Sequence, residues 1–449
     1  MTSKALSLFI LIAILFALTF NIIFYDPFDG YDAEAHYNYV DSFSRHLPRS
    51  INIPDDSQTR EFFNPPLGYL TPSIGQVICR NFTVSSDYLS ECRFFYGKFT
   101  QIIQSFIYLL TLCINLLTLK KFYNSKNFLN LEYLILVSLI AVNYRTISMI
   151  RGEPYILFFL SILFYKFSQH TKKSFEVPNK EIIFFGAIIG MLALSRQWAF
   201  LLFPAFFIMI KFTKEETRKN YSLFLLKSFS VGFLLSSWFY FTLLFRYGSF
   251  TAFNKESIGF SFFNQPLNFY IPNLNDLYLL FTNPIRPNFS NQFISILYAD
   301  TWGDYWGYFV FTSTKLDLGR NQDLIGSYLA KVNLLNLPLT IFLILSVFLL
   351  KRTYKDNIFI KYINYSIIFS LIGYLWFLIS YPDFPTGDTN KATYILQIIN
   401  MIVFLGSIYL KEIKEKNILF YRLFMIYLFT IFIHNFDSFL SHFPQSLNF

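Results

Sequence analysis

The sequence predicts an all-α polytopic membrane protein, a bundle of about eleven transmembrane helices whose large polar insertions share one side. Three observations carry this. Hydrophobic residues fill 54% of the 449 positions and charged residues only 14%, against about 25% charged in an ordinary soluble domain. About eleven apolar runs approach the roughly 20 residues that a spanning helix needs. Lys and Arg concentrate in alternate short loops, the pattern that sets orientation in a membrane. The formal charge of +9 is therefore a topological signal, and membrane lipids rather than nucleic acid are the expected surroundings. The 59 Phe and 31 Tyr carry no functional information by themselves.

The first run, MTSKALSLFILIAILFALTFNIIF, has one Lys and no small-x-small cleavage site before Tyr25. It reads as a retained signal anchor with its N-terminus in the cytoplasm. Further spans are expected at about 99–119, 129–148, 153–169, 181–195, 198–213, 222–245, 333–350, 358–380, 391–410 and 417–434, after the first at 6–25. Two of the links are very short, Arg151-Gly152-Glu153-Pro154 and Arg196-Gln197. Pro154 suits the first turn of a new helix. With the N-terminus inside, the inner loops carry Lys120, Lys121 and Lys126, then Lys166, Lys172, Lys173 and Lys180, then Lys211, Lys214, Arg218 and Lys219, then Lys351, Arg352 and Lys355, then Lys411, Lys414 and Lys416. Each short inner loop is basic, as the positive-inside rule requires. The chain is thus one membrane domain over 1–449. Its outer side holds a first loop at 26–98, a long loop at 246–332, a loop at 381–390 and the C-terminal tail.

The first outer loop opens with a tight acidic cluster, Asp26, Asp29, Asp32 and Glu34, followed by His36. Carboxylates at the mouth of a membrane bundle lose solvation and need a reason to be there. Gly30-Tyr31 predicts a turn and a helix starting near Asp32, with Asp32 close to its N-cap. On that helix Asp32 and His36 share a face at i, i+4; on a strand Asp32, Glu34 and His36 would share one. The loop closes with Asn64-Pro65-Pro66-Leu67-Gly68-Tyr69, where adjacent prolines bar a continuing helix. Cys79 and Cys92 lie in the same loop, where they either pair under oxidising conditions or stay as thiols. Cys113, inside an apolar run, reads as a core residue. No CxxC or HExxH spacing occurs, so no metal site is read from the sequence, although the carboxylates leave a divalent cation open.

Cations on the outer side break the charge bias and call for anionic partners. They are Arg145, Arg151, Arg196 and Lys391, each at an outer helix end. A lipid phosphate is a natural partner, and neutralising it would help it leave. Lys391 sits in Asp388-Thr389-Asn390-Lys391-Ala392-Thr393-Tyr394, and Glu153 adds an acid to the Arg151 turn. The long loop holds Tyr298-Ala299-Asp300-Thr301-Trp302-Gly303-Asp304-Tyr305-Trp306-Gly307-Tyr308. Its rings and acids suit sugar recognition, with Asp304 on hydroxyls, and equally suit an interfacial aromatic belt.

Together these residues resemble the GT-C superfamily of lipid-phosphate-sugar-dependent membrane glycosyltransferases, in the protein mannosyltransferase, aminoarabinose transferase and Rgt-like branch. The resemblance rests on Asp32-Ala33-Glu34-Ala35-His36-Tyr37, on Phe63-Asn64-Pro65-Pro66-Leu67-Gly68-Tyr69, on Glu153 in a second short outer loop, and on the run from Asp388 to Tyr394. The family's adjacent Asp-Glu is here Asp-Ala-Glu, which leaves Asp32 and Glu34 both open as the base, with Asp32 preferred. The resemblance implies a GT-C-type bundle with outer loop helices and a polyprenyl- or dolichyl-phosphate sugar donor. It also implies inversion at the anomeric carbon, a glycan, lipid or protein acceptor, and a site facing the periplasm, lumen or exterior. Asp32, Glu34 and Glu153 are then the catalytic acids. His36, Arg151, Arg196, Lys391, Tyr394 and Asp304 are the substrate-binding residues, and the Pro-Pro element ends the loop helices that roof the pocket. A flippase of lipid-linked glycan, which needs polar or broken helices in mid-membrane, and a polysaccharide polymerase or ligase are the competing readings.

Overall fold

Within a bilayer every backbone N–H and C=O must be satisfied inside its own segment, so long apolar runs fold as helices. The structure, a computed structural model, describes residues 3–83, 88–310, 322–383 and 386–441. Among these no residue lies in a strand. In chain order the helices are α1 (Ser3–Phe24), α2 (Ala33–Ser44), α3 (Leu67–Phe82), α4 (Tyr88–Phe122), α5 (Leu131–Ser138), α6 (Ala141–Ser148), α7 (Glu153–Lys172) and α8 (Asn179–Ser195). A 3-10 turn, Gln197–Leu202, leads into α9 (Phe203–Phe212) and α10 (Glu215–Tyr247). The long loop carries α11 (Leu267–Tyr270), α12 (Leu274–Leu280) and α13 (Phe293–Trp302). Then follow α14 (Gln322–Thr353), α15 (Ile358–Ser380), a 3-10 turn at Ala392–Ile395, α16 (Leu396–Lys416) and α17 (Ile418–His434).

Every expected apolar run coincides with one of these helices or with two in succession. Among the described residues, six are long and apolar enough to cross a membrane, and the bent pair α5–α6 makes a seventh. The Gln197–Phe212 stretch and α17 are apolar but shorter, so a count of eleven crossings rests on the sequence pattern alone. The run at 129–148, expected as one helix, is broken at Leu139–Ile140 and bent by 66°. The freed carbonyl of Ser138 accepts the Tyr144 hydroxyl at 3.1 Å, and every residue of both pieces is buried. A break is tolerated at membrane depth where protein surrounds it.

The two ends of the bundle differ in chemistry. At one end Lys172 donates to the Lys121 carbonyl, Lys414 pairs with Glu132, and Lys411 covers the Tyr123 ring. At the other end the first loop, the long loop and the start of the Ala392 turn meet; this is the site end. Here Lys98 donates to the Ile22 and Tyr25 carbonyls at 2.7 and 2.6 Å, closing the C-terminus of α1 as cations do at helix ends. Cys79 and Cys92 are joined, fastening α3 to α4. Cys113, expected in the core, is exposed on α4, because an apolar run in lipid has an outward apolar face as well as an inward one.

The Pro-Pro element begins a helix and does not end one. Pro66 stands at the N-cap of α3, where a missing N–H costs nothing. Two glycines then let three chain segments converge. A Cβ on Gly68 would lie 2.8 Å from the Gly152 Cα, and one on Gly152 would meet the Ser195 carbonyl. This contact brings the starts of α3 and α7 against the end of α8, and so places Glu153 beside Arg196.

Candidate active site

Asp32 immediately precedes α2 with φ 55° and ψ 25°, a left-handed conformation that Asp adopts more readily than most residues. It occupies the expected cap position, yet its side chain makes no capping hydrogen bond. The carboxylate is turned to cations instead. Its Oδ2 lies 3.2 Å from Lys391 Nζ, and its Oδ1 accepts from Arg60. Lys391 directly precedes the Ala392–Ile395 turn and is buried. Its ammonium faces the rings of Tyr31, Tyr394 and Trp306 at 4.9, 5.8 and 5.9 Å, an aromatic cage that compensates lost hydration. Arg151, also buried, donates to the Tyr31 carbonyl at 2.6 Å. Its Nε and Nη1 have no hydrogen-bond partner among the described residues.

The electrostatics follow from this packing. Burial alone would raise the Asp32 carboxyl, but Lys391, Arg151 and Arg60 overcome it and hold the group well below the ordinary carboxylate range. Burial and the nearby Arg151 and Arg196 push the His36 imidazole well below its ordinary value, so it is neutral at pH 7. His36 Nδ1 meets the Tyr69 hydroxyl at 2.6 Å, and that hydroxyl accepts from Asn64 at 3.1 Å. Asn64 also donates to Glu61. The chain ends on Arg196, held between Glu153 at 3.0 Å and Glu61 at 3.8 Å. Burial raises the Glu61 carboxyl despite Arg196.

A third cluster lies beneath these. Arg145 pairs with Asp300 at 2.7 Å and with Asp304 at 3.2 Å, all three fully buried. It also donates to the carbonyls of Asp300 and Gly303. Asp304 accepts the Phe309 and Val310 N–H groups at 2.8 and 2.9 Å. Beside the Asp32–Lys391 pair runs a mostly apolar cavity of about 160 Å³, with Arg196, Asn64 and Tyr394 at its polar end and Trp198, Phe253 and Phe377 along its walls. Trp376 of α15, half exposed on the outside of the bundle, also lines it. The Tyr394 ring separates cavity from ion pair, with Arg196 and Lys391 each 5.8 Å from it.

Of the residues singled out in the sequence, Asp32, Arg151, Arg196, Lys391, Tyr394 and Glu153 come together. His36 lies behind them, buried against Tyr69. Glu34 is exposed in the first turn of α2, where its charge acts on Arg93. Three expectations are corrected. Asp304 is not free for sugar hydroxyls, because both its oxygens are taken by Arg145 and the loop backbone. Arg145 finds its anionic partners within the protein. Trp302, Tyr305 and Trp306 are buried and form neither an open sugar platform nor an interfacial belt. Sequence reading passed over Arg60, Glu61 and Tyr31; the signal for Glu61 was its place three residues before Asn64 in the Pro-Pro element. Among the described residues no group of three or more His, Cys, Asp or Glu stands ready to hold a metal ion.

Fold and site define an integral membrane protein with a cationic, carboxylate-bearing cleft at one end of its bundle. No family model matches the sequence, and no curated protein does. Solved structures do match. The archaeal oligosaccharyltransferase AglB from Archaeoglobus fulgidus, in complex with an inhibitory peptide and a dolichol-phosphate, is similar with a TM-score of 0.51 at 12% identity. The match covers 96% of this chain and 56% of AglB. ArnT from Cupriavidus metallidurans, bound to undecaprenyl phosphate, gives a TM-score of 0.46 at 12% identity over 90% of this chain and 60% of ArnT. The chain thus spans little more than half the length of either, and it shares the fold of AglB over that length.

Proposed function

We propose that the protein transfers a sugar from a polyprenyl- or dolichyl-phosphate donor to an acceptor at the site end of the bundle, with inversion at the anomeric carbon. The observation that carries this is the Asp32–Lys391 pair, set with the unpaired donors of Arg151 beside an apolar cavity that reaches the outside of the bundle. In this reading the lipid tail follows the cavity wall and its phosphate meets Lys391 and Arg151. The acceptor heteroatom attacks the anomeric carbon as Asp32 takes its proton. The sugar–phosphate bond breaks, and its electron pair leaves on the phosphate, which the two cations neutralise.

The resting geometry fits a base held in reserve. While Lys391 pairs with it, Asp32 is too weakly basic to take a proton. A donor phosphate competing for Lys391 loosens that hold, so basicity rises only when substrate is present. Arg196, already flanked by Glu153 and Glu61, has less charge to offer and orients the cavity's polar end. The basic loops at the opposite end support a cytoplasmic N-terminus and a site on the periplasmic, lumenal or extracellular face. Glycan, lipid and protein remain the acceptor classes. A divalent cation fits this cleft poorly, since Asp32 is neutralised by Lys391 and Arg60 and Glu153 by Arg196.

The test is release of polyprenyl phosphate and labelled product by purified protein given polyprenyl-phosphate hexoses and pentoses. Transfer by the wild type and a loss of about 10²–10⁴-fold in Asp32→Asn is expected. Lipid movement between leaflets without transfer to any acceptor pool sinks the enzyme reading in favour of a flippase, for which the break between α5 and α6 is the structural argument.

A further inference from the structure

The two members of the central ion pair come from segments 359 residues apart, and each is held by its own element only through its carbonyl, which accepts the His36 or the Tyr394 N–H. Asp32 sits in a left-handed turn without a capping bond, and Lys391 is extended, with φ −127° and ψ 132°. Tyr374 bonds the Lys391 N–H and carbonyl, and Arg151 the Tyr31 carbonyl, each acting on one segment, so a group that touches both is needed to register them. We propose that Asp300 is that positioning residue; its consequence for chemistry rests on the transfer reading above, while its geometry does not.

Asp300 lies in α13 with no exposed surface. Its Oδ1 accepts the Tyr31 hydroxyl at 3.3 Å, and its Oδ2 accepts the Ala392 N–H at 2.7 Å. Tyr31 immediately precedes Asp32, and Ala392 immediately follows Lys391. One carboxylate therefore grips the neighbour of each partner, one with each oxygen. Arg145 stops that carboxylate from rotating by bonding both its Oδ1 and its own carbonyl. The pair it sets is separated by 3.2 Å, near the outer limit of a hydrogen bond. A slip of about 1 Å in either segment opens it, and misplacement on that scale costs on the order of a hundredfold in rate at an active site. The molecule supplies its own control. Asp304 shares Arg145 and full burial but bonds neither Tyr31 nor Ala392.

The register is read without any activity. In a chain bearing Asp32→Cys, Lys391→Cys and Cys113→Ser, with the Cys79–Cys92 bond intact, a short bifunctional thiol reagent reports how closely the two segments approach. Adding Asp300→Asn is expected to slow cross-linking roughly tenfold, the scale of one lost hydrogen bond to a charged group. Adding Asp304→Asn should change it less than about twofold, even where both lower thermal stability alike. Equal rates with the two Asn variants overturn the proposal. Tyr31→Phe, which removes a single hydroxyl and keeps the ring under Lys391, serves where Asp300→Asn does not fold. It should slow cross-linking in the same direction, and an unchanged rate overturns the proposal. In the otherwise native chain Tyr31→Phe should lower kcat for a polyprenyl-phosphate sugar more than it raises KM; the reverse split counts against positioning. Failure of the wild type to transfer sugar sinks the transfer reading and leaves the cross-linking result to decide this one.

Discussion

Two charged clusters sit within a few residues of each other at the site end, and they are built to opposite specifications. Around Arg145 the accounting of donors and acceptors is nearly closed: both carboxylates of its partners are engaged, and neither they nor the guanidinium reach solvent. Around Lys391 it is open. Asp32 is about a quarter exposed, its backbone is left-handed, Arg151 has donors to spare, and a cavity runs alongside. A buried, satisfied ion network specifies one arrangement of the chain. A partly satisfied one at a cavity mouth is where charge on a ligand can enter. The contrast separates cations that hold the protein together from cations available to substrate, which position in the sequence alone could not do.

Four variants break or sharpen that contrast. The largest effect is expected from Asp32→Asn. It should cost about 10²–10⁴-fold in transfer rate, the range for a general base, with folded yield unchanged; a variant with full turnover moves the base elsewhere, Glu153 first. Arg145→Met should act on the fold and not on binding. Breaking a fully buried pair costs about 3–5 kcal/mol, read as a lower melting temperature. A well-folded Arg145→Met protein with weakened binding of undecaprenyl phosphate would place Arg145 in the cleft and erase the distinction.

Next comes Lys391→Met, which should weaken binding of undecaprenyl phosphate by roughly 10–100-fold, the scale of one hydrogen bond to a charged group. It should also move the acidic limb of the pH profile upward, because burial then acts on Asp32 with less opposition. The sign for stability follows from the depressed Asp32 carboxyl. The pair's contribution is complete above the unfolded value of about 3.9 and is lost only as pH falls below it. The melting-temperature gap between wild type and Asp32→Asn should thus be constant from pH 5 to 8, on the scale of that roughly 3.9 midpoint, and should shrink at about pH 3. A gap that widens in acid contradicts the pairing. The smallest effect belongs to Glu34→Gln, expected within about twofold in rate, as for a solvated surface group. A tenfold loss there would return the choice between Asp32 and Glu34 to the position the sequence left it in.

The helical architecture was legible because lipid leaves so few ways to satisfy a backbone. The site was legible in outline for a related reason. Cations that violate a topological bias need anions, and Arg151, Arg196 and Lys391 do converge. What could not be read was which anion each would find. Asp300 lies 155 residues from Arg145 along the chain, and Glu61 is separated from Arg196 by the whole span of α3 to α8. Nothing local distinguishes a partner at that distance from a solvated loop acid. The same limit explains Trp302 and Trp306, whose rings carry no mark of facing inward. The break between α5 and α6 went unseen because it contains neither Pro nor Gly, the residues that ordinarily announce one.

That broken pair also constrains how the chain is made. Each piece has eight residues, about 12 Å of helix at 1.5 Å per residue, which is too short to cross a bilayer unaided. One of them carries Arg145, whose counter-charge is encoded 155 residues later. At roughly 5–20 residues per second, the ribosome delivers Asp300 on the order of ten seconds after Arg145. Through that interval Arg145 has neither Asp300 nor Asp304 to pair with, and an unpaired Arg within an apolar run is costly in lipid. The Arg145 network therefore closes only once the second half of the protein has been made, which ties the break between α5 and α6 to residues the ribosome has yet to deliver.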